Sequence, residues 1–143
     1  MRQGIQSLMT GIGGQGCYAL CIIELAEKIT KSFFDPAAMF ERAVNLGYIR
    51  YRFDNPKWSD GCFVTAPDRF LSTLIGKKVT LRKEYNINYI PKPNEWIIIA
   101  WEKPGTNSTL THFTLPDWDP IEPKISTVCL QGHKTSLRVF SVN

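Results

Sequence analysis

The chain lacks the features that identify a membrane-spanning or a disulfide-stabilised protein. No apolar run approaches the roughly 20 residues that a helix needs to cross a bilayer. No compact apolar segment follows a basic start, so we expect no signal peptide and a cytoplasmic protein, and the sequence leaves open whether it is released by lysis or by a partner's secretion. Only four cysteines occur, at positions 17, 21, 62 and 129. A chain of 143 residues can bury a core without disulfides, so we expect the four cysteines to carry thiols and to form no disulfides.

The chain also lacks a strong excess of charge of either sign. Charged residues make up 21% of the sequence, hydrophobic residues make up 43%, and the formal net charge is +4. These values are ordinary for one globular domain over residues 1–143. The dense basic stretch from Lys77 to Lys83 is interrupted by Val79 and Leu81, which is typical of the solvated face of a strand. We expect no nucleic-acid and no membrane partner, with a nucleic-acid binder using this stretch as a low-ranked alternative.

The first half of the chain, about residues 1–78, carries helical patterns. Residues 18–31 place apolar side chains on one stripe and charged ones opposite, as a surface helix requires. The charged stripe consists of Glu24, Glu27, Lys28 and Lys31. Asp35 followed by Pro36 predicts the start of a second helix. Thr65 and Asp68 have the spacing of a capping box and predict the start of a third.

The second half, about residues 79–143, carries strand patterns. The predicted strands are "VTLRKEY", "EWIIIAW", "STLTHFTL", "STVCL" and "TSLRVFSV". The continuous apolar run in "EWIIIAW" is typical of a central strand that is covered on both faces. Two short strands, near 49–53 and 62–64, are expected in the helical half. Helices followed by strands predict an α+β domain in which N-terminal helices pack on a C-terminal antiparallel sheet.

Cys17 lies between a glycine-rich stretch and the first predicted helix. A thiol in the first turn of a helix faces the positive end of the helix dipole and unpaired backbone N–H groups, and both favour the thiolate. The preceding glycines let the backbone turn sharply, so we expect an accessible sulfur. Cys17 is therefore a candidate nucleophile. The alternative is a cysteine packed in the core.

A nucleophilic cysteine needs a base, and the chain has two histidines. His112 lies in "THFTL", a predicted strand that the turn "PD" connects to a return strand at "WDPI". If the turn is a loop of two or four residues, His112 and Asp119 fall on the same face of the hairpin, directly or diagonally opposite. The Asp119 carboxylate could then fix the imidazole tautomer. His133, at a glycine turn, is the substitute base.

Two weaker patterns suggest other chemistry. The run "GIGGQG" has the glycines of a phosphate-binding loop, but it lacks the ending that such loops need, so we expect no nucleotide and no other cofactor. Cys17 and Cys21 with the two histidines could form a zinc site, but their spacing is unlike that of zinc motifs, and we expect no metal. Trp96, Trp101 and Trp118 flank the candidate site in sequence and line either a substrate cleft or the core.

The order of these residues resembles the papain-like fold. The resemblance rests on "GCYAL" at a helix start and on "HFTLPDWDP" in the sheet, and it extends to "DGCFVTAPDRFLSTLIGK". The proteins that the chain resembles are small bacterial and phage cysteine peptidases and amidases, such as bacteriocin-leader peptidases and cell-wall hydrolases. It implies Cys17 as nucleophile, His112 as base, Asp119 as the residue that orients the base, and Gln15 as the nearest candidate for the oxyanion hole. Tyr18, Trp101 and Trp118 would line the cleft.

The sequence thus predicts a papain-like cysteine hydrolase that cleaves an amide bond in a peptide or a peptidoglycan stem. The alternative is a non-catalytic module of the same fold, a bacterial or phage accessory protein that binds a host protein. The two differ in one observable: only the enzyme needs the sulfur of Cys17.

Overall fold

Helices precede the larger sheet along the chain. The structure, a computed structural model, describes residues 16–52, 61–102, 111–120 and 132–143. The helices within these ranges are α1 (Gly16–Thr30), α2 (Pro36–Asn45) and α3 (Pro67–Ile75). The strands are β1 (Ile49–Arg52), β2 (Gly61–Val64), β3 (Val79–Glu84), β4 (Glu95–Glu102), β5 (Thr111–Thr114) and β6 (His133–Val142). The predicted strand "STVCL" and Gln15 lie outside the described residues. None of the described helices is both long and apolar enough to cross a membrane.

The predicted fold class, α+β with helices packed on antiparallel sheets, is confirmed. β1 and β2 pair with each other in a small sheet within the helical half. The larger sheet has the strand order β3-β6-β4-β5, and every neighbouring pair is antiparallel. Strands β3 and β4 lie on the two sides of β6 and both run antiparallel to it, so they run parallel to each other. Residues 85–94, which we call the crossover, therefore lead from one end of the sheet back to the other.

Helix α1 is more deeply buried than its sequence predicts. Every residue from Gly16 to Ala26 is buried, including Glu24. The prediction that Glu24 lies on a solvent-exposed stripe is therefore wrong. The reason is tertiary: α1 contacts α2 and α3 as well as the edge strand β5 and the central strand β4. A helix surrounded on several sides buries its charged stripe as well as its apolar one. Only its last four residues, 27–30, are partly exposed.

The two shorter helices test the capping predictions. The Asp35 carboxylate accepts a hydrogen bond from the backbone N–H of Ala37 (3.3 Å), so the predicted start of α2 is confirmed. The capping box at α3 is wrong, because Ala66 occupies the N-cap position without a side-chain bond. The hydroxyl of Thr65 instead donates to the carbonyl oxygen of Gly47 at 2.8 Å. Thr65 thus connects the start of α3 to the segment that follows α2.

Strand β4 lies between β6 and β5 and is covered on both faces, as its apolar run predicts. On the helix side, Ile98 and Ala100 join a core with Phe140 and the buried residues of α1 and α3. On the other side, a smaller cluster consists of Ile99, Leu137 and Val139, with Tyr89, Ile97 and Trp101 packed against it. Tyr89 belongs to the crossover, which therefore covers part of the sheet face away from the helices.

Candidate functional site

A tight turn after β5 determines which side chains share a face. Leu115 and Trp118 form an antiparallel bridge around the two-residue turn Pro116-Asp117. The Leu115 N–H donates to the Trp118 carbonyl at 2.9 Å, and the reciprocal distance is 3.5 Å. With a two-residue turn, position 119 lies diagonally opposite position 112 on the same face. The predicted return strand is limited, in the described residues, to this single bridge.

The turn brings His112 and Asp119 into direct contact. The Nε2 atom of His112 lies 3.0 Å from Oδ1 of Asp119. Both side chains are buried, with exposed fractions of 8% for His112 and 2% for Asp119. Burial removes the water that would otherwise solvate the carboxylate, which strengthens its interaction with the ring. Because Nε2 faces Asp119, Nδ1 is the ring nitrogen available to another partner.

Cys17 supplies that partner from the neighbouring helix. It is the second residue of α1 as described, and its side chain forms a hydrogen bond with His112. The structure thus brings the three residues together at the junction of α1 with the β5 hairpin. One expectation is wrong: the sulfur is not accessible, since Cys17 is only 1% exposed. Cys17 and Cys21 both carry thiols.

The three residues favour a protonated imidazole. Burial lowers the pKa of His112, but the hydrogen bond to Asp119 and that to Cys17 raise it by more, so its pKa is about 9. At neutral pH, Nε2 therefore donates to Asp119, and Nδ1 carries a second proton. The arrangement can hold a thiolate–imidazolium pair with a carboxylate behind it.

Three further contacts connect α1 to the hairpin, and the sequence analysis missed them. The Cys21 thiol donates to the carbonyl oxygen of Phe113 at 3.4 Å. The ring of Tyr18 stacks on that of Phe113, with centroids 4.2 Å apart and planes 13° apart. At the other end of α1, Lys28 Nζ lies 2.5 Å from Asp117 Oδ1. A lysine in the last turn of a helix and an acidic residue in a hairpin turn give no sequence signal that they meet.

The three aromatic residues predicted to line a cleft lie in three different surroundings. Trp101 lies directly opposite His112 in the β4–β5 register, and its Nε1–H donates to Thr114 Oγ1 at 2.9 Å. Trp118 is half-buried beside Asp119 and packs against the helix-side core. Tyr18 is buried, and its hydroxyl finds no hydrogen-bond partner among the described residues. Burial raises the pKa of Tyr18. Trp101 is therefore the aromatic side chain best placed beside the imidazole.

The remaining candidates lie away from this cluster. His133 is the first residue of β6, not part of a turn, and its exposed ring lies 3.6 Å from Glu102. Trp96 packs against the helix-side core. Among the described residues, no three His, Cys, Asp or Glu side chains are placed to hold a metal ion. A groove of about 360 Å³ lies at the opposite end of α1, between Leu25, Trp96 and Pro116. It does not reach the cluster at Cys17.

One protein family, described as "Protein of unknown function, DUF261", matches residues 1–142. The chain belongs to this family. Among curated proteins and among solved structures, nothing matches the chain. The family description assigns no reaction, so the function of this DUF261 member has to be argued from the cluster of Cys17, His112 and Asp119.

Proposed function

We propose that this DUF261 protein is a papain-like cysteine hydrolase that cleaves an amide bond in a peptide or a peptidoglycan stem. The observation that carries the proposal is the 3.0 Å contact between His112 and Asp119, with Cys17 bonded to the same imidazole. A thiol on a helix start, a strand histidine and a carboxylate after it are the three groups that this reaction uses.

In the proposed reaction, the Cys17 thiolate attacks the carbonyl carbon and forms a carbon–sulfur bond. The carbonyl π electrons move to the oxygen, and backbone N–H groups in the first turn of α1 stabilise that charge. The carbon–nitrogen bond then breaks as His112 gives its proton to the leaving amine. Water, deprotonated by His112, attacks the thioester and releases the acid and the Cys17 thiolate. Asp119 holds the ring throughout. Gln15 stays a proposed oxyanion donor.

Alkylation of the native protein tests whether the thiolate exists. Because Cys17 is only 1% exposed, burial slows its reaction with iodoacetamide at every pH, so the pH dependence of the rate is the readout. If the ion pair exists, Cys17 should still be modified at about pH 6, where a thiol with an ordinary pKa of about 8.5 is almost wholly protonated. Cys21 is the matched control, because it is buried on the same helix one turn further along. His112→Ala should abolish the modification at this pH. If Cys17 reacts only in alkaline solution, or reacts equally without His112, the ion pair does not form.

Turnover is the second test. The full chain is incubated with peptidoglycan fragments and with a peptide library, and new amino groups are measured. Cys17→Ala should abolish the release, whereas Cys21→Ala should retain it if the variant stays folded by circular dichroism. Hydrolysis that survives in Cys17→Ala would contradict the assignment of the nucleophile.

The burial of Cys17 favours a second candidate, a non-catalytic interaction module of the same fold. A sulfur that is 1% exposed is not open to a substrate in this conformation. In this case the cluster of Cys17, His112 and Asp119 fixes α1 to the hairpin, and binding to another protein is the function. Cys17→Ser would then leave binding of the partner unchanged, whereas in the enzyme it abolishes turnover. Its effect on stability is the same in both cases, because the same bond to His112 is altered.

A further inference from the structure

The outer side of the crossover carries most of the exposed large apolar side chains of the described residues. Five such side chains are exposed in the described ranges, and three of them lie on the crossover. These are Tyr85 (71% exposed), Ile87 (39%) and Ile90 (84%). A single exposed apolar residue is ordinary, but three within six residues concentrate exposed apolar surface on one segment, which we call the patch, and such a concentration is a feature of interaction sites.

The inner side of the crossover is fixed to the sheet. Tyr89 packs against the cluster of Ile99, Leu137 and Val139, and its hydroxyl donates to Glu95 Oε1 at 2.5 Å. The backbone N–H of Lys92 donates to the same oxygen at 2.9 Å. These contacts hold the C-terminal end of the patch, and strand β3, which ends at Glu84, precedes its other end, so the exposed side chains project from an anchored segment.

Positive charge is concentrated around the same segment. Residues 77–95 contain five Lys or Arg and two Glu, so they hold +3 of the chain's formal charge of +4. Arg82 is paired with Glu95 at 2.7 Å. Lys83 and Lys92 are exposed, and Lys83 Nζ lies 5.1 Å from the centre of the Tyr85 ring. The patch therefore combines apolar side chains with lysines at its border, and its partner must offer both negative charge and an apolar phase.

We propose that the crossover docks on the surface of an anionic lipid bilayer. Ile87, Ile90 and Tyr85 enter the boundary between headgroups and acyl chains, and Lys83 and Lys92 contact the headgroup phosphates. A nucleic acid would match the lysines but gives no burial to isoleucine side chains, because it is bound through stacking and hydrogen bonds. This proposal departs from the expectation of no membrane partner, and it needs no membrane-spanning segment, because the contact lies at the bilayer surface.

Sedimentation with lipid vesicles tests the proposal on the full chain. The protein should bind vesicles of phosphatidylcholine mixed with phosphatidylglycerol, bind poorly to phosphatidylcholine alone, and dissociate as salt is added. Ile90→Asp should weaken binding about tenfold or more, because it places a negative charge at the inserted position. The double variant Lys83→Gln with Lys92→Gln should weaken binding about thirtyfold. Leu46→Asp, at an exposed apolar residue outside the crossover, is the matched control and should bind normally.

Three results would overturn the proposal. The first is no binding of the wild-type chain to the anionic vesicles. The second is undiminished binding by Ile90→Asp, which would reveal a purely electrostatic surface for any polyanion, RNA included. The third is self-association without lipid that Ile90→Asp abolishes, which would make a second copy the occupant of the patch. Circular dichroism of each variant establishes that it is folded.

Discussion

Replacing Asp119 with Asn removes the charge behind His112 while keeping the size of the side chain. In the wild-type protein, the pKa of His112 is about 9 against an ordinary value of 6.5. This difference corresponds to about 3 kcal/mol of preference for the protonated ring, at 1.36 kcal/mol per unit. Burial opposes that preference, so the bonds to Asp119 and Cys17 must supply it. We therefore expect Asp119→Asn to lower the pKa of His112 towards or below 6.5.

The same change alters how stability depends on pH. Because the pKa of His112 is higher in the folded state, the folded protein holds the proton more tightly than the unfolded chain. The resulting stabilisation is fully present below about pH 6.5 and is lost as the pH rises through about 9. Asp119→Asn should lower the free energy of unfolding by up to about 3 kcal/mol near pH 6, since Cys17 supplies part of the preference, and by less above pH 9. The stability of the variant should therefore fall less steeply than that of the wild type over this interval.

Two measurements check this prediction. Proton NMR of the imidazole ring gives the pKa directly, and His133→Gln assigns the signals because the chain has only two histidines. Urea unfolding from about pH 6 to pH 10 gives the free energy. Asp117→Asn is the matched control, since it removes an acidic residue of the same hairpin that is 69% exposed. A wild-type His112 that titrates at 6.5 or lower, or an unchanged pKa in Asp119→Asn, would refute the reasoning.

Three other substitutions test the surrounding structure. Hydrogen bonds from Tyr89, Arg82 and a backbone N–H lower the pKa of Glu95 to about 2. The contribution of Glu95 to stability is therefore present above about pH 4.5 and lost as the pH falls through about 2. Between these pH values, the unfolding temperature of Glu95→Gln should fall less than that of the wild type. Equal falls in the two proteins would contradict this prediction. Lys28→Gln breaks an exposed ion pair and should lower the urea-derived free energy of unfolding by at most about 0.5 kcal/mol; a loss above about 2 kcal/mol would show that the pair positions α1. Gly76→Ala, at φ +70°, should destabilise the protein by about 1 kcal/mol in the same assay, and a neutral result would mean that the end of α3 relaxes.

Local signals in the sequence predicted much of the fold because nearby residues supply the relevant physics. Asp35 caps α2 through a bond to a backbone N–H two residues away, so the pattern contains all the required atoms. The alternation after residue 79 and the apolar run of β4 likewise predict strands and their burial. The shared face of His112 and Asp119 followed from the length of one turn. Each of these predictions involves at most eight consecutive residues.

The errors come from contacts between distant residues. Thr65 was assigned to a capping box, but its hydroxyl bonds to Gly47, 18 residues earlier. The sequence pattern predicts Glu24 and Cys17 at the surface, because it separates a charged face of α1 from an apolar one. It does not show that other elements pack against more than one of those faces. The parallel relation of β3 and β4, and with it the course of the crossover, depends on where β6 inserts. No local pattern encodes that position.

The place of β6 in the sheet has a consequence for synthesis of the chain. β6 separates β3 from β4, yet it is made after both of them. While the ribosome is still translating residues 103–132, β4 lacks the neighbour with which it has the longest pairing, and its run of isoleucines stays open to other chains. The larger sheet can therefore close only after residue 142 has left the ribosome. On this nascent chain, residues 95–102 thus expose the kind of extended apolar segment that chaperones bind.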